Sequence, residues 1–215
     1  MFKKFEKINT FTDKDILNLK KILAKNWPKI KAKNLLSKHL IDTIKKYKKE
    51  NVLNTFLVHK KSQDSSVGFF FENQFSFLLA GYLAYRFDLK KTNKLYSIEL
   101  NNFVKIPGGT THKPDLLITK KNKPTLIIEL KEHVTDRNIK KNYLDKKNIY
   151  APLKAKFMYI ILSMSCHKAK YLTKNVPEAK LIACDLDKYF VNMIKTILPV
   201  EPIEHIFDEI GDMLE

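Results

Sequence analysis

The sequence predicts an α/β protein: a mixed central sheet flanked by helices, with an N-terminal helical extension. Three observations carry that reading. Apolar residues recur at helical spacing through most of residues 11–87. From residue 94 the pattern changes to short apolar runs of strand length, separated by turn residues. Between the strands of 124–131 and 157–165 lies a polar segment of helical character, and the order helix, three strands, helix, two strands, helix argues for a mixed sheet with helical layers.

The elements follow in order. "FTDKDILNLKKILAKN" (11–26) offers Thr12 as N-cap with Asp15 three residues on, and Ile16, Leu19 and Leu23 on one face. Trp27-Pro28 is expected to break that helix. A second helix places Leu36, Leu40, Ile44 and Tyr47 on one side, with a lysine cluster near its end. "HKKSQDSS" (59–66) reads as a polar loop, and a long helix apolar over most of its surface runs from about Val67 to Phe87. Its apolar stretch 75–87 is shorter than the roughly 20 residues a membrane span needs, so it reads as a buried helix.

Strands are expected at 94–100, near "PDLLIT", at 124–131, at 157–165 and at 179–185. Residues 101–112, with Gly108-Gly109, read as a loop, 120–123 as a four-residue turn, and 136–150 as a polar helix. Helices at 186–197 and 203–214 close the chain. Residues 1–66 form the extension, serving DNA recognition or dimerisation, 67–200 the core, and 201–215 an acidic helix packed on it. Its stripe Ile203, Ile206, Phe207, Ile210 and Leu214 fits packing on its own core or a dimer contact.

The chain carries a formal net charge of +17 over 215 residues. That balance points to a polyanionic partner, nucleic acid ahead of membrane or acidic protein, against the bland alternative of a lysine-rich surface. Arg86 and Arg137 are the only arginines. Lysine neutralises phosphate but lacks the planar fork that reads guanine bidentately, so base readout cannot rest mainly on arginine. Residues 201–215 hold six acids and no Lys or Arg, as expected of a segment held away from DNA. Cys166 and Cys184 are too few for a disulfide framework or a four-ligand zinc site. With no secretory signal in "MFKKFEKINT", a cytoplasmic location is expected.

The chemistry concentrates in "KPDLLITKKNKPTLIIELK" (113–131). Asp115, Glu129 and Lys131 stand inside apolar runs, where charge is costly unless paired or coordinated. Glu129 and Lys131 are two apart and share a strand face with Thr125 and Ile127, while Leu126, Ile128 and Leu130 face the other way. An antiparallel turn brings Asp115 beside them. Two carboxylates and an ammonium at a sheet edge suit metal-assisted phosphodiester cleavage: oxygen ligands for a hard cation, and a lysine to orient or deprotonate water or to neutralise developing charge. The plain alternative is a cross-strand salt bridge worth ~1 kcal/mol or less if exposed.

Pro114-Asp115 followed by Glu129-Leu130-Lys131 after a short strand-turn-strand resembles the PD-(D/E)XK nuclease superfamily. The surrounding order resembles its restriction-endonuclease-like αβββαβ core over roughly residues 67–185. The resemblance implies that Asp115 and Glu129 ligate a metal, with the Leu130 carbonyl as a further ligand, and that Lys131 is the catalytic lysine. It also implies an acid near the metal, with Glu72 in "FFFENQ" and Glu99 in the first strand as rivals. Further implications are Mg²⁺ (Mn²⁺ substituting), no small-molecule cofactor, duplex DNA as substrate, 5′-phosphate and 3′-hydroxyl products, and a homodimer with two active sites. A type II restriction endonuclease is the leading expectation. The alternatives are a structure-selective repair or recombination nuclease and a catalytically silent DNA-binding protein on the same fold.

Other residues carry weaker signals. Gly108, Gly109, Thr110 and Thr111, with His112 beside them, make either a DNA-contacting loop or a plain turn, and Lys60 and Lys61 either reach into a groove or are solvated. His112 and His133 flank the motif as neighbours of the site or as surface histidines. Cys166-His167 is a poor catalytic pair, since adjacent strand residues point apart.

Overall fold

Helix α1 (Asp13–Ala32) begins where the sequence signals it. Thr12 and Asp15 form a reciprocal capping box, with Asp15 N–H donating to Thr12 Oγ1 at 3.3 Å and Thr12 N–H to Asp15 Oδ2 at 3.0 Å. The helix does not stop at Pro28 as expected but continues through it to Ala32. Ile30 beyond the proline is fully buried and Trp27 packs on Tyr82 and Tyr85, so burial outweighs the lost backbone hydrogen bond. Asn34, at φ 49°, turns the chain into α2 (Leu35–Thr55). The computed structural model describes residue 2 and residues 11–55, 63–88, 96–100, 103–133, 139–184 and 200–215.

Helix α3 (Gln63–Arg86) starts four residues before the expected Val67. Polar residues suit a first helical turn, whose N–H groups lack intrahelical acceptors, so the polarity of 63–66 did not mark a loop. Phe70, Phe71, Phe75, Leu78, Leu79 and Tyr82 are buried in a core shared with Leu19 and Leu23 of α1 and Leu36, Leu40 and Ile44 of α2. Helices α1 and α3 approach so closely that a Cβ at Gly81 would overlap the Leu19 side chain.

The main sheet is mixed and five-stranded: β1 (Tyr96–Leu100), β4 (Leu116–Lys120), β5 (Lys123–His133), β6 (Lys156–Met164) and β7 (Lys180–Cys184), in that spatial order. The first three run antiparallel, and β6 and β7 continue parallel to β5. The expected loop 101–112 contains a small antiparallel pair, β2 (Val104–Lys105) and β3 (Thr111–His112). Gly108 and Gly109 sit at its tip with φ near 106° and 102°, values that glycine adopts without strain.

The β4–β5 turn is shorter than the expected 120–123. Lys120 pairs with Lys123, leaving Lys121 and Asn122 at φ 51° and 61° as a two-residue hairpin turn whose twist suits the strands. A register shift between Ile118 and Thr119 absorbs the difference.

The two parallel connections are helical: α4 (Ile139–Tyr150) joins β5 to β6, and α5 (Cys166–Asn175) joins β6 to β7. Helix α5 is not among the elements the sequence predicts. Cys166 and His167 therefore open a helix rather than end a strand, and Ala169, Leu172 and Val176 pack at helical spacing into the core under it. The expected helix 186–197 lies outside the described residues.

One face of the sheet, with Leu116, Ile118, Leu126, Ile128 and Leu130, packs into the core containing α3. The other face carries Leu117 and Ile127 against Tyr150, Val104 and Ile106. The alternation read from 124–131 thus matches the two layers.

Helix α6 (Ile203–Leu214) buries Ile203, Ile206, Phe207, Ile210 and Leu214 in the main core, so its apolar stripe packs within its own chain. Its acids meet basic side chains of the body: Asp208 with Lys31, Glu209 with Lys180, and Asp212 and Glu215 with Arg86. Glu204, fully buried, accepts from Leu36 N–H at 2.6 Å, Ser37 N–H at 3.2 Å and Ser37 Oγ at 2.5 Å. Ser37 Oγ in turn accepts from Ile203 N–H at 2.9 Å, so α2 and α6 cap each other's first turns. Among the described residues no helix is long and apolar enough to cross a membrane.

Candidate active site

Asp115 immediately precedes β4, and Glu129 and Lys131 lie toward the carboxyl end of β5. Because the strands are antiparallel and Leu116 pairs with Ile128, these three positions fall at one end of the hairpin. Lys131 Nζ donates to Asp115 Oδ2 at 2.9 Å and to Glu129 Oε2 at 3.3 Å. The Leu130 N–H donates to Asp115 Oδ2 at 2.7 Å. A peptide N–H and an ammonium thus fix one oxygen of Asp115.

Glu129 has no exposed surface. A buried carboxylate without partners would be strongly destabilising, and here both oxygens are engaged. Besides Lys131 on Oε2, Oε1 accepts from Lys146 Nζ at 3.1 Å and from the Tyr150 hydroxyl at 2.9 Å. This is a network built around a buried carboxylate, with its two lysines part-exposed, unlike the fully exposed cross-strand pair that composition alone would allow.

Lys146 and Tyr150 were not singled out in the sequence. They stand four apart on α4, hence on one helix face, and α4 lies between two parallel strands and must cross back over the sheet. That i, i+4 spacing is the signal that would have found them.

Burial pulls the Lys131 ammonium down, but the charges of Asp115 and Glu129 and the hydrogen bond to Asp115 outweigh it and hold its pKa above the usual lysine value. Burial, reinforced by the Glu129 charge and hydrogen bond, pushes the Tyr150 phenol up, so it stays a donor. Tyr159 of β6 pairs in register with Glu129. Burial, with the charges of Glu129 and Asp115 added and Lys131 opposing, pushes its phenol up to about 12. Among the described residues its buried hydroxyl has no hydrogen-bond partner.

The two rivals for an additional acid lie on different elements. Glu72 is half-buried on α3, the helix that packs against the Leu126, Ile128 and Leu130 face. Glu99 pairs in register with Leu117, which puts position 99 on the face of Ile127 and Glu129. The Glu99 side chain lies outside the described residues, as do those of Lys60, Lys61 and His133. Gly108, Gly109 and Thr110 are exposed at the hairpin tip. His112 packs its ring edge-to-face on Tyr150 at 6.4 Å, joining that hairpin to the site.

The oxygen donors of Asp115 and Glu129 suit a hard divalent cation, and the unpartnered Tyr159 hydroxyl within electrostatic reach leaves one polar group for a water or ligand. Among the described residues no group of three or more His, Cys, Asp or Glu is placed to hold a metal, so the donor set there is this carboxylate pair. Comparison with protein-family models, curated proteins and solved structures gives no match.

Proposed function

We propose that this chain is a metal-dependent endodeoxyribonuclease on a restriction-endonuclease-like core, its leading form a type II restriction endonuclease acting as a homodimer on duplex DNA. The observation that carries the reading is the Asp115–Lys131–Glu129 cluster at the open end of the β4–β5 hairpin. The order α3, β1, β4, β5, α4, β6 fits the expected αβββαβ arrangement. The high positive charge fits a nucleic-acid partner.

Asp115 and Glu129 would hold a Mg²⁺ ion, or Mn²⁺ in its place, which supplies Lewis-acid polarisation of the scissile phosphate and of a water. Lys131, which donates to both carboxylates, would neutralise charge building on the phosphate oxygens. Lys146 and Tyr150 hold Glu129 Oε1 and so fix the aim of the carboxylate. Water oxygen bonds to phosphorus and the bond from phosphorus to the 3′-oxygen breaks. The water's proton passes to solvent and the 3′-oxygen takes one up, leaving 5′-phosphate and 3′-hydroxyl ends.

A structure-selective nuclease is the second reading, favoured by the exposed Phe103, whose ring neighbour Lys113 is two residues before Asp115. Parent protein incubated with Mg²⁺ and a mixed set of plasmids and branched duplexes separates the two. A fixed fragment pattern supports the restriction form, and preferential cutting at branches supports the second. Binding without cutting under any divalent metal would leave a silent DNA-binding protein.

A further inference from the structure

The outer face of the β2–β3 hairpin carries a large aromatic side chain in solvent. Phe103 is 68% exposed, and an exposed ring of that size is informative because burial normally stabilises it. Side chains alternate along the strand: Val104 and Ile106 are buried against Leu117, Ile127 and Tyr150, while Phe103 and Lys105 face outward. Val104 pairs with His112, so Phe103 stands across from Lys113, whose Nζ is 5.9 Å from the ring centroid. Lys105 and Lys113 are both exposed.

This hairpin is anchored to the candidate active site. Lys113 is two residues before Asp115, and His112 rests on Tyr150, whose hydroxyl holds Glu129. A strand reaching the Asp115–Glu129 pair would therefore meet the hairpin as well.

We propose that Phe103 is a stacking platform for an unpaired base, with Lys105 and Lys113 taking the adjoining phosphates. Aromatic rings in a basic setting bind bases by their π-faces whatever the sequence. In an intact duplex both faces of each base are covered by neighbours, so a single outward ring meets a base that has left the stack. Charge complementarity favours nucleic acid, since the chain is strongly basic and Lys113 stands over the ring, with Lys105 exposed on the same strand. The inference deepens the proposed nuclease reading and rests on it only for the path of the strand.

The test is binding without metal, so that it does not depend on cleavage. A short duplex with one unpaired 2-aminopurine and its fully paired counterpart are titrated with parent protein, with Phe103→Ala and Phe103→Trp. The parent is expected to prefer the unpaired substrate and to change the 2-aminopurine fluorescence. Phe103→Ala should bind it about 5- to 100-fold more weakly with the fluorescence change lost, and Phe103→Trp should retain both. Replacing Lys105 or Lys113 by Gln should each lower the slope of log K against log salt by about 0.7–0.9.

Equal binding by a folded Phe103→Ala overturns the proposal. So does Phe103-dependent binding to phosphatidylserine vesicles with none to either oligonucleotide, which would assign the patch to a membrane surface. Loss of the Phe103 effect in a protein that still cuts DNA defeats this inference alone. Phe103-dependent base binding in a protein that never cuts defeats the nuclease reading alone.

Discussion

The Tyr150 hydroxyl donates to Glu129 Oε1 at 2.9 Å, tying the last residue of α4 to the carboxyl-terminal half of β5. Both side chains are buried, so the contact holds the crossover helix on the sheet and helps satisfy a carboxylate with no exposed surface. Tyr150→Phe removes the donor and leaves the ring in place. It should lower stability by about 1–2 kcal/mol, read as a shift of the urea midpoint at unchanged slope. If Glu129 holds a metal, the same variant should also weaken Mn²⁺ binding, measured by electron paramagnetic resonance of the free ion.

Glu204 predicts a pH dependence. Burial raises its pKa above the usual carboxyl value, opposed by the hydrogen bonds from Ser37 and Leu36. A raised carboxyl pKa gives stability that is present below the ordinary glutamate value and lost as pH rises through the raised folded value. The stability of the parent relative to Glu204→Gln should therefore fall as pH rises through that window. Urea unfolding of both proteins across mildly acidic pH measures it, and a constant difference would contradict the assignment.

At the α1–α3 contact, Gly81→Ala should destabilise by about 1–3 kcal/mol, because the new methyl meets Leu19. Leu19→Ala removes buried area and is destabilising alone, yet the double variant should cost less than the sum. Thermal unfolding of the four proteins gives the coupling.

The β4–β5 turn should be improvable. Lys121 adopts φ 51°, a conformation that costs a lysine more than an asparagine or glycine. Lys121→Asn with Asn122→Gly gives the preferred hairpin pair and should stabilise by about 0.5–1 kcal/mol in chemical denaturation.

The site triad was legible because two local rules suffice for it. Period-two alternation puts Glu129 and Lys131 on one face, and a tight turn returns Asp115 to them. The capping box at Thr12 and the apolar faces of α2 and α6 were legible for the same reason. Pro28 misled because its local penalty is set against the burial of Ile30 and Trp27, which only tertiary packing reveals. Helix α5 was hidden by lysines that leave just three apolar positions in its stripe. Lys146 and Tyr150 became visible only when α4 was laid over the sheet, since their partner lies about 20 residues away in sequence.

Phosphodiester cleavage by Asp115, Glu129 and Lys131 is the proposal on which the rest depends. It is tested most directly by incubating supercoiled mixed plasmid DNA with Mg²⁺ and the parent, Asp115→Asn or Lys131→Ala, each shown to be folded. Nicked or linear products are expected from the parent, none from either variant, and DNA binding largely retained by Lys131→Ala. Undiminished cutting by both variants would contradict it.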